Sequence, residues 1–140
     1  MEHFFLPQEG VIDSYVVQDP ETKKITDFIS FYTLPSSILR HEKYKTLHVA
    51  YSYYHIPNKH SMMELMRDAL VLAKQKGFDV FNALDIMDNN QVLQELKFGV
   101  GDGNLHYYFY NWRIPEIDPS QMGVVLVWSQ PFNLNLTWLQ

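Results

Sequence analysis

Ser61-Met62-Met63-Glu64-Leu65-Met66-Arg67-Asp68-Ala69-Leu70-Val71-Leu72-Ala73-Lys74-Gln75-Lys76-Gly77-Phe78-Asp79-Val80-Phe81-Asn82-Ala83-Leu84 is the stretch that decides the fold. It opens with a capping box, Ser61 and Glu64, in which each side chain can satisfy the other's free backbone N–H. Met62, Met66, Ala69, Leu70 and Ala73 then recur at helical spacing and make one apolar face. Lys74 and Lys76 oppose the helix dipole in the last turn, and Gly77 suits the left-handed position after the helix. Phe78 to Leu84 follows as a short run, apolar but for Asp79 and Asn82, that reads as a buried strand. A helix delivered straight into a buried strand predicts helices packed on a sheet.

Upstream, Val11 to Val17 reads as a strand, and Asp19-Pro20-Glu21-Thr22-Lys23-Lys24 supplies turn chemistry. Ile25 to Tyr32 alternates, but Phe28 and Tyr32 make its second face half apolar, which predicts a central strand covered on both sides. The two strands are expected to form a hairpin. Leu34-Pro35-Ser36-Ser37 ends it, and either serine is placed to cap a short helix at Ile38-Leu39-Arg40. Thr46 to Tyr54 is a third strand. Downstream, Asp88 or Asn89 is expected to start a second helix carrying Val92, Leu93 and Leu96, stopped by Gly99. Gly101-Asp102-Gly103-Asn104 reads as a turn into an aromatic strand, Leu105 to Trp112, and Gly123 to Val127 as a last short strand. The order predicts one α+β domain with a mixed β-sheet and packed helices over residues 1–127, with a divergent tail over 128–140 to which no role is assigned.

Composition excludes several classes of function. The chain has 140 residues, 46% of them hydrophobic and 15% aromatic, enough for a packed core. Asp and Glu number 16 against 11 Lys and Arg, for a net charge of −5, so no basic stripe argues for nucleic acid or an anionic membrane. There are no cysteines, which removes disulfides, thiolate metal sites and thiol nucleophiles and fits a cytoplasmic protein. No apolar run approaches the ~20 residues of a transmembrane segment. Two of the six histidines stand four residues from a carboxylate, His60 from Glu64 and His106 from Asp102, which leaves too few ligands for a zinc ion. No metal site is expected.

Three segments carry a family resemblance: Ile25-Thr26-Asp27-Phe28-Ile29-Ser30-Phe31-Tyr32-Thr33-Leu34-Pro35-Ser36-Ser37, then Gly77 to Asp85, then Lys97-Phe98-Gly99-Val100-Gly101-Asp102-Gly103-Asn104-Leu105 continuing to Tyr110-Asn111-Trp112. In this order and spacing the chain, from about Glu2 to Val127, resembles the C-terminal half of the myristoyl-CoA:protein N-myristoyltransferases. The resemblance implies half of a duplicated, acetyltransferase-like fold. It also implies an acyltransferase that moves myristoyl from myristoyl-CoA to the N-terminal glycine of a peptide. The N-terminal half would bind myristoyl-CoA and the C-terminal half much of the peptide. The family's terminal carboxylate would take the glycine amine's proton, a task suited to an amine with a pKa near 8.

That resemblance implies peptide-groove roles for Tyr32, Ser36, Tyr51, Asn82, Asp102, Gly103 and Leu105. Each has a plainer alternative. Ser36 suits a helix N-cap, Tyr51 a core aromatic, and Asn82 a buried amide tying the sheet to a loop. Asp102 between two glycines suits a turn; as a groove residue it would meet a basic residue downstream of the substrate glycine, and Gly103 and Leu105 would line the groove beside it. Val127 falls where the family's carboxylate stands, yet here residues 128–140 follow it. The chain is therefore expected to bind no cofactor or acyl-CoA alone, to need the missing N-terminal half as partner, and to be inactive by itself. Two further readings stand beside this one: a non-catalytic peptide-binding module or truncated isoform, and a free-standing acetyltransferase-like domain. The last lacks a phosphate-cradling turn at a helix start, since Gly99 to Gly103 leads into a strand.

Overall fold

The computed structural model describes residues 2–85, 89–104, 110–113, 115–117, 123–124, 127–128 and 133–138. Among the described residues three helices, α1 (Glu2–Phe5), α2 (Met62–Gln75) and α3 (Asn90–Leu93), accompany ten strands. The first seven strands are β1 (Ile12–Gln18), β2 (Ile25–Thr33), β3 (Ser36–Ser37), β4 (Thr46–Leu47), β5 (Val49–Ile56), β6 (Val80–Leu84) and β7 (Gly99–Asn104). The last three are β8 (Gly123–Val124), β9 (Val127–Trp128) and β10 (Asn133–Trp138). The main sheet has six strands in the order β1-β2-β5-β6-β10-β7, and β3-β4 and β8-β9 are separate two-stranded ribbons. Among the described strands only β5 and β6 pair in parallel, because α2 carries the chain from one end of the sheet back to the other. The architecture is α+β with a mixed sheet.

The helix that decided the reading forms as its sequence dictates. The Ser61 hydroxyl accepts from the Glu64 N–H, and the Glu64 carboxylate accepts from the Ser61 N–H at 2.8 Å. Gly77, at φ +82°, ends it. Its N–H donates to the Lys74 carbonyl and the Phe78 N–H to Ala73, which satisfies two carbonyls that a bare helix end leaves open. The buried face is Met62, Leu65, Met66, Ala69 and Ala73, so Leu65 joins the predicted face and Leu70 lies half-buried at its margin. Small residues on both sides, Ala69 and Ala73 against Ala50 and Ala83, let the helix approach the sheet closely. Phe31 is fully buried at the centre of this layer, with edge-on contacts to Phe78 and Phe81. Replacing it by alanine would cost about 3–5 kcal/mol.

Several expected elements differ. No helix forms at Ile38 to Arg40; Ser36 and Ser37 instead make β3, paired with Leu47 and Thr46 of β4. Ser36 is exposed and caps nothing, so its N-cap reading falls. The second helix is a single turn ending at Leu93, and the turn that follows it closes at Lys97 rather than Gly99. Lys97 adopts φ +59°, with Phe98 N–H donating to Leu93 at 2.9 Å. Gly101 to Asn104 is not a turn but part of β7. Leu105 lies outside the described residues with 106–109, while Tyr110 to Trp112, expected as strand, carry none. Gly123–Val124 and Val127–Trp128 are two strands of a ribbon, not one. Asn133–Trp138, in the stretch read as a tail, is strand β10, antiparallel to both β6 and β7.

Candidate functional site

The sheet has two faces of different character. On β2, Asp27, Ile29 and Phe31 point toward α2, so Thr26, Phe28, Ser30 and Tyr32 occupy the other side. That second face is aromatic. The Phe5 ring of α1 packs on Phe28, Tyr53 and Tyr54 at centroid distances of 5.4–5.9 Å. Tyr32 stacks on Tyr51 at 5.2 Å, with 15° between the rings, and meets Tyr53 edge-on.

Three of the residues singled out in the sequence stand in one row. Tyr32 of β2 pairs with Tyr51 of β5, and Tyr51 pairs with Asn82 of β6. Residues directly opposite one another in adjacent strands project from the same face, so two phenols and an amide share one line across the sheet. Ile12 begins the row beside Tyr32, and Leu136 of β10 continues it beyond Asn82. Burial, and then the neighbouring Tyr51 and Tyr53, push the Tyr32 phenol above its usual range, so at neutral pH it is a hydrogen-bond donor. The Asn82 side chain is buried, and among the described residues its Oδ1 has no hydrogen-bond partner. A buried amide oxygen left unpaired costs free energy unless something arrives to donate to it.

A bulge builds the aromatic crowding. Between Ile29 and Phe31, β2 advances two residues while β5 advances three, from His55 to Ser52. The Ser30 hydroxyl spans the gap: it donates to the Tyr54 carbonyl at 2.9 Å and accepts from the Tyr54 N–H at 3.1 Å. The extra residue lets consecutive Tyr53 and Tyr54 both meet Phe5. Beside Tyr32 and Tyr53, a cavity of about 490 Å³ is lined by His3, Phe4, Gln8, Val11 and Ile12. Asp79 sets the register of the parallel pair. Its carboxylate accepts from the His48 N–H at 2.9 Å while its own N–H donates to the His48 carbonyl.

The remaining candidates stand apart from this row. Ser36 lies on the β3-β4 ribbon, four residues beyond Tyr32. Asp102 and Gly103 lie on β7, separated from β6 by β10. Gly99 marks the row's level on β7, so Asp102 is about 10 Å further along that strand. Val127 sits in β9, opposite Val124. Sequence reasoning missed Phe5, Tyr53 and Ser30. Tyr53, two residues from Tyr51, lies on the same face by strand periodicity and was legible on that ground. Ser30 was not, because a bulge depends on the partner strand.

Known proteins resemble this chain over nearly all of its length. The sequence profile described as myristoyl-CoA:protein N-myristoyltransferase, C-terminal domain, matches residues 1–126. Glycylpeptide N-tetradecanoyltransferase 1 of Arabidopsis thaliana is 57% identical over 128 residues, which is 91% of this chain and 30% of the relative. Glycylpeptide N-tetradecanoyltransferase 2 of Danio rerio is 56% identical over 126 residues, 90% of this chain and 25% of the relative. A crystal structure of Saccharomyces cerevisiae N-myristoyltransferase with bound myristoyl-CoA superposes with a TM-score of 0.67 at 35% identity, covering 96% of this chain and 29% of that one. The chain thus spans between a quarter and a third of the length of the relatives it matches. On this similarity the chain belongs to the myristoyl-CoA:protein N-myristoyltransferase family and corresponds to its C-terminal domain.

Proposed function

We propose that the chain supplies the peptide-binding part of a glycylpeptide N-tetradecanoyltransferase, which transfers myristoyl from myristoyl-CoA to the N-terminal glycine of a protein. The observation that carries this reading is the row Tyr32, Tyr51 and Asn82, with its unpaired buried amide oxygen. An extended peptide laid across the row would meet two phenolic hydroxyls and one amide, which can both donate to and accept from its backbone. Asp102, Gly103, Leu105 and Ser36 would then contact residues downstream of the glycine, with Asp102 favouring a basic one. The acetyltransferase-like half that binds myristoyl-CoA would come from the remainder of the family's polypeptide, and the protein would act in the cytoplasm.

The reaction needs a base for the glycine ammonium and an acyl thioester within reach of the freed amine. The base takes one proton from the ammonium; attack of the freed amine on the thioester carbonyl then forms the amide bond and breaks the C–S bond, and the second amine proton leaves on the CoA sulfur as the thiol. The family resemblance implies that this base is a terminal carboxylate, which would stand at or beside Val127. Here Val127 carries a peptide carbonyl, which is no useful base. That one observation favours a second reading, a module that binds glycyl peptides without acylating them.

Titration calorimetry with a Gly-initiated peptide tests the binding that both readings share. Asn82→Ala should lower affinity about five- to ten-fold, as the loss of one net hydrogen bond does. Because no described residue pairs with Oδ1, the same change should leave the unliganded melting temperature nearly unmoved. A variant that melts much lower yet binds peptide normally would make Asn82 a structural amide and remove the site.

A further inference from the structure

We propose that the tip of the β3-β4 ribbon, residues 38–45, is a docking surface for an anionic lipid bilayer. The proposal is independent of the acyl-transfer reading. Residues 40–45, Arg-His-Glu-Lys-Tyr-Lys, hold three of the chain's eleven Lys and Arg against one acid, in a protein whose net charge is −5. Whole-chain charge therefore hides a local reversal of sign, and at physiological salt a field is felt only within about 8 Å. Among the exposed cations stand two exposed apolar side chains, Leu39 at 84% and Tyr44 at 55%.

The tip is a built turn. The His41 Nδ1 accepts from the Lys43 and Tyr44 N–H groups at 3.3 and 3.1 Å, and Lys45 Nζ donates to the His41 carbonyl at 2.9 Å. The Ile38 N–H closes the ribbon onto the Lys45 carbonyl at 2.8 Å, and Arg40 takes φ +63° to make the reversal. Lys43 lies 5.2 Å over the Tyr44 ring. Holding these residues in one turn reduces the ordering cost of binding.

Cations beside an exposed leucine and tyrosine match the two layers of a bilayer surface. The ammonium and guanidinium groups meet lipid phosphates and carboxylates, Leu39 enters the acyl boundary, and Tyr44 sits at the headgroup level. A nucleic acid would engage the same cations, and Tyr44 can stack on a base, but it offers Leu39 nothing. The leucine is what selects the bilayer.

Vesicle sedimentation of the 140-residue chain tests the proposal, with phosphatidylcholine vesicles compared with vesicles carrying about 30% phosphatidylserine. Binding is expected only to the anionic vesicles and should be lost near 1 M salt, where the screening length is about 3 Å. The double variant Arg40→Gln/Lys43→Gln should bind about twenty-five-fold more weakly, roughly five-fold per cation. Leu39→Ser should weaken binding about ten-fold. Lys24→Gln/Lys74→Gln, which removes two exposed cations elsewhere, should bind normally. An unchanged melting temperature in each variant confirms that the fold is intact. Equal binding to neutral and anionic vesicles, no binding to either, or equal weakening by the control pair would overturn the proposal. So would capture by polyuridylate RNA that depends on Arg40 and Lys43 while ignoring Leu39.

Discussion

Asp27 shows how one side chain ties distant parts of this chain together. It is buried on β2, and its Oδ1 accepts from the backbone N–H groups of Asn58, Lys59 and His60 at 2.8–3.0 Å, while Oδ2 meets His60 Nδ1 at 2.8 Å. The turn before α2 is thereby fixed to the sheet. Burial alone would push this carboxyl up, but the hydrogen bonds from the His60 backbone and side chain and from Asn58 together hold it well below the usual carboxylate range. A depressed folded-state pKa means the ionised form stabilises the fold. That stabilisation is complete above the ordinary value of about 4 and is lost as pH falls below it. Asp27→Asn should thus melt well below the wild type at pH 7, and the gap should narrow in scans toward pH 2. A gap that stays constant with pH would show that the charge is not what the turn uses. Asp13 ties the far end of α2 in a related way through Lys76, whose ammonium that contact stabilises.

Elements whose causes are local were legible from residues, and those that depend on a partner strand were not. α2 announced itself because the Ser61–Glu64 box, the apolar spacing and Gly77 all lie within one segment. The β1-β2 hairpin was legible for the same reason, with its turn written in Asp19 to Lys24; the Asp19 carboxylate accepts from the Glu21 and Thr22 N–H groups. Ser36-Ser37 and Gly101 to Asn104 carry turn-forming residues, and only pairing with β4 and β10 makes them strands. Of the site, the row of Tyr32, Tyr51 and Asn82 was named from the family resemblance, but its straightness across three strands is a matter of register. The Ser30 bridge lies at the bulge next to that row, and without the extra residue the part of β5 beyond Tyr53 would turn to the opposite face. Ser30→Ala leaves the Tyr54 N–H and carbonyl without that partner and should cost about 1–3 kcal/mol in chemical denaturation. It should also weaken glycyl-peptide binding by loosening Tyr53 against Tyr32. A variant with native stability and affinity would show that the bulge holds without its hydroxyl.

At the scale of the whole molecule, the sheet is closed by residues far apart in sequence. β10 lies between β6 and β7, so the two strands meet only through Asn133–Trp138. Leu136→Pro places a residue with no N–H in the middle of a strand paired on both sides, a position proline does not tolerate. It should unfold the β6-β10-β7 part of the sheet and strip hydrogen-exchange protection from 80–84 and 99–104 together. Retained protection in both would mean that the sheet does not need β10. The central claim is that this chain is the peptide-binding domain of a myristoyltransferase, and a relative's own polypeptide provides the means to test it. The segment of the Arabidopsis relative that precedes its match to this chain would be mixed with the chain, complex formation checked by gel filtration, and myristoyl-CoA added with a Gly-initiated or an Ala-initiated peptide. Mass spectrometry should find acylation of the glycine peptide alone, only when both parts are present, slow because Val127 offers a peptide carbonyl in place of a carboxylate, and reduced about five- to ten-fold further by Asn82→Ala. A complex that forms yet leaves the glycine peptide unmodified would contradict the transferase assignment, and acylation indifferent to Asn82 would contradict the site.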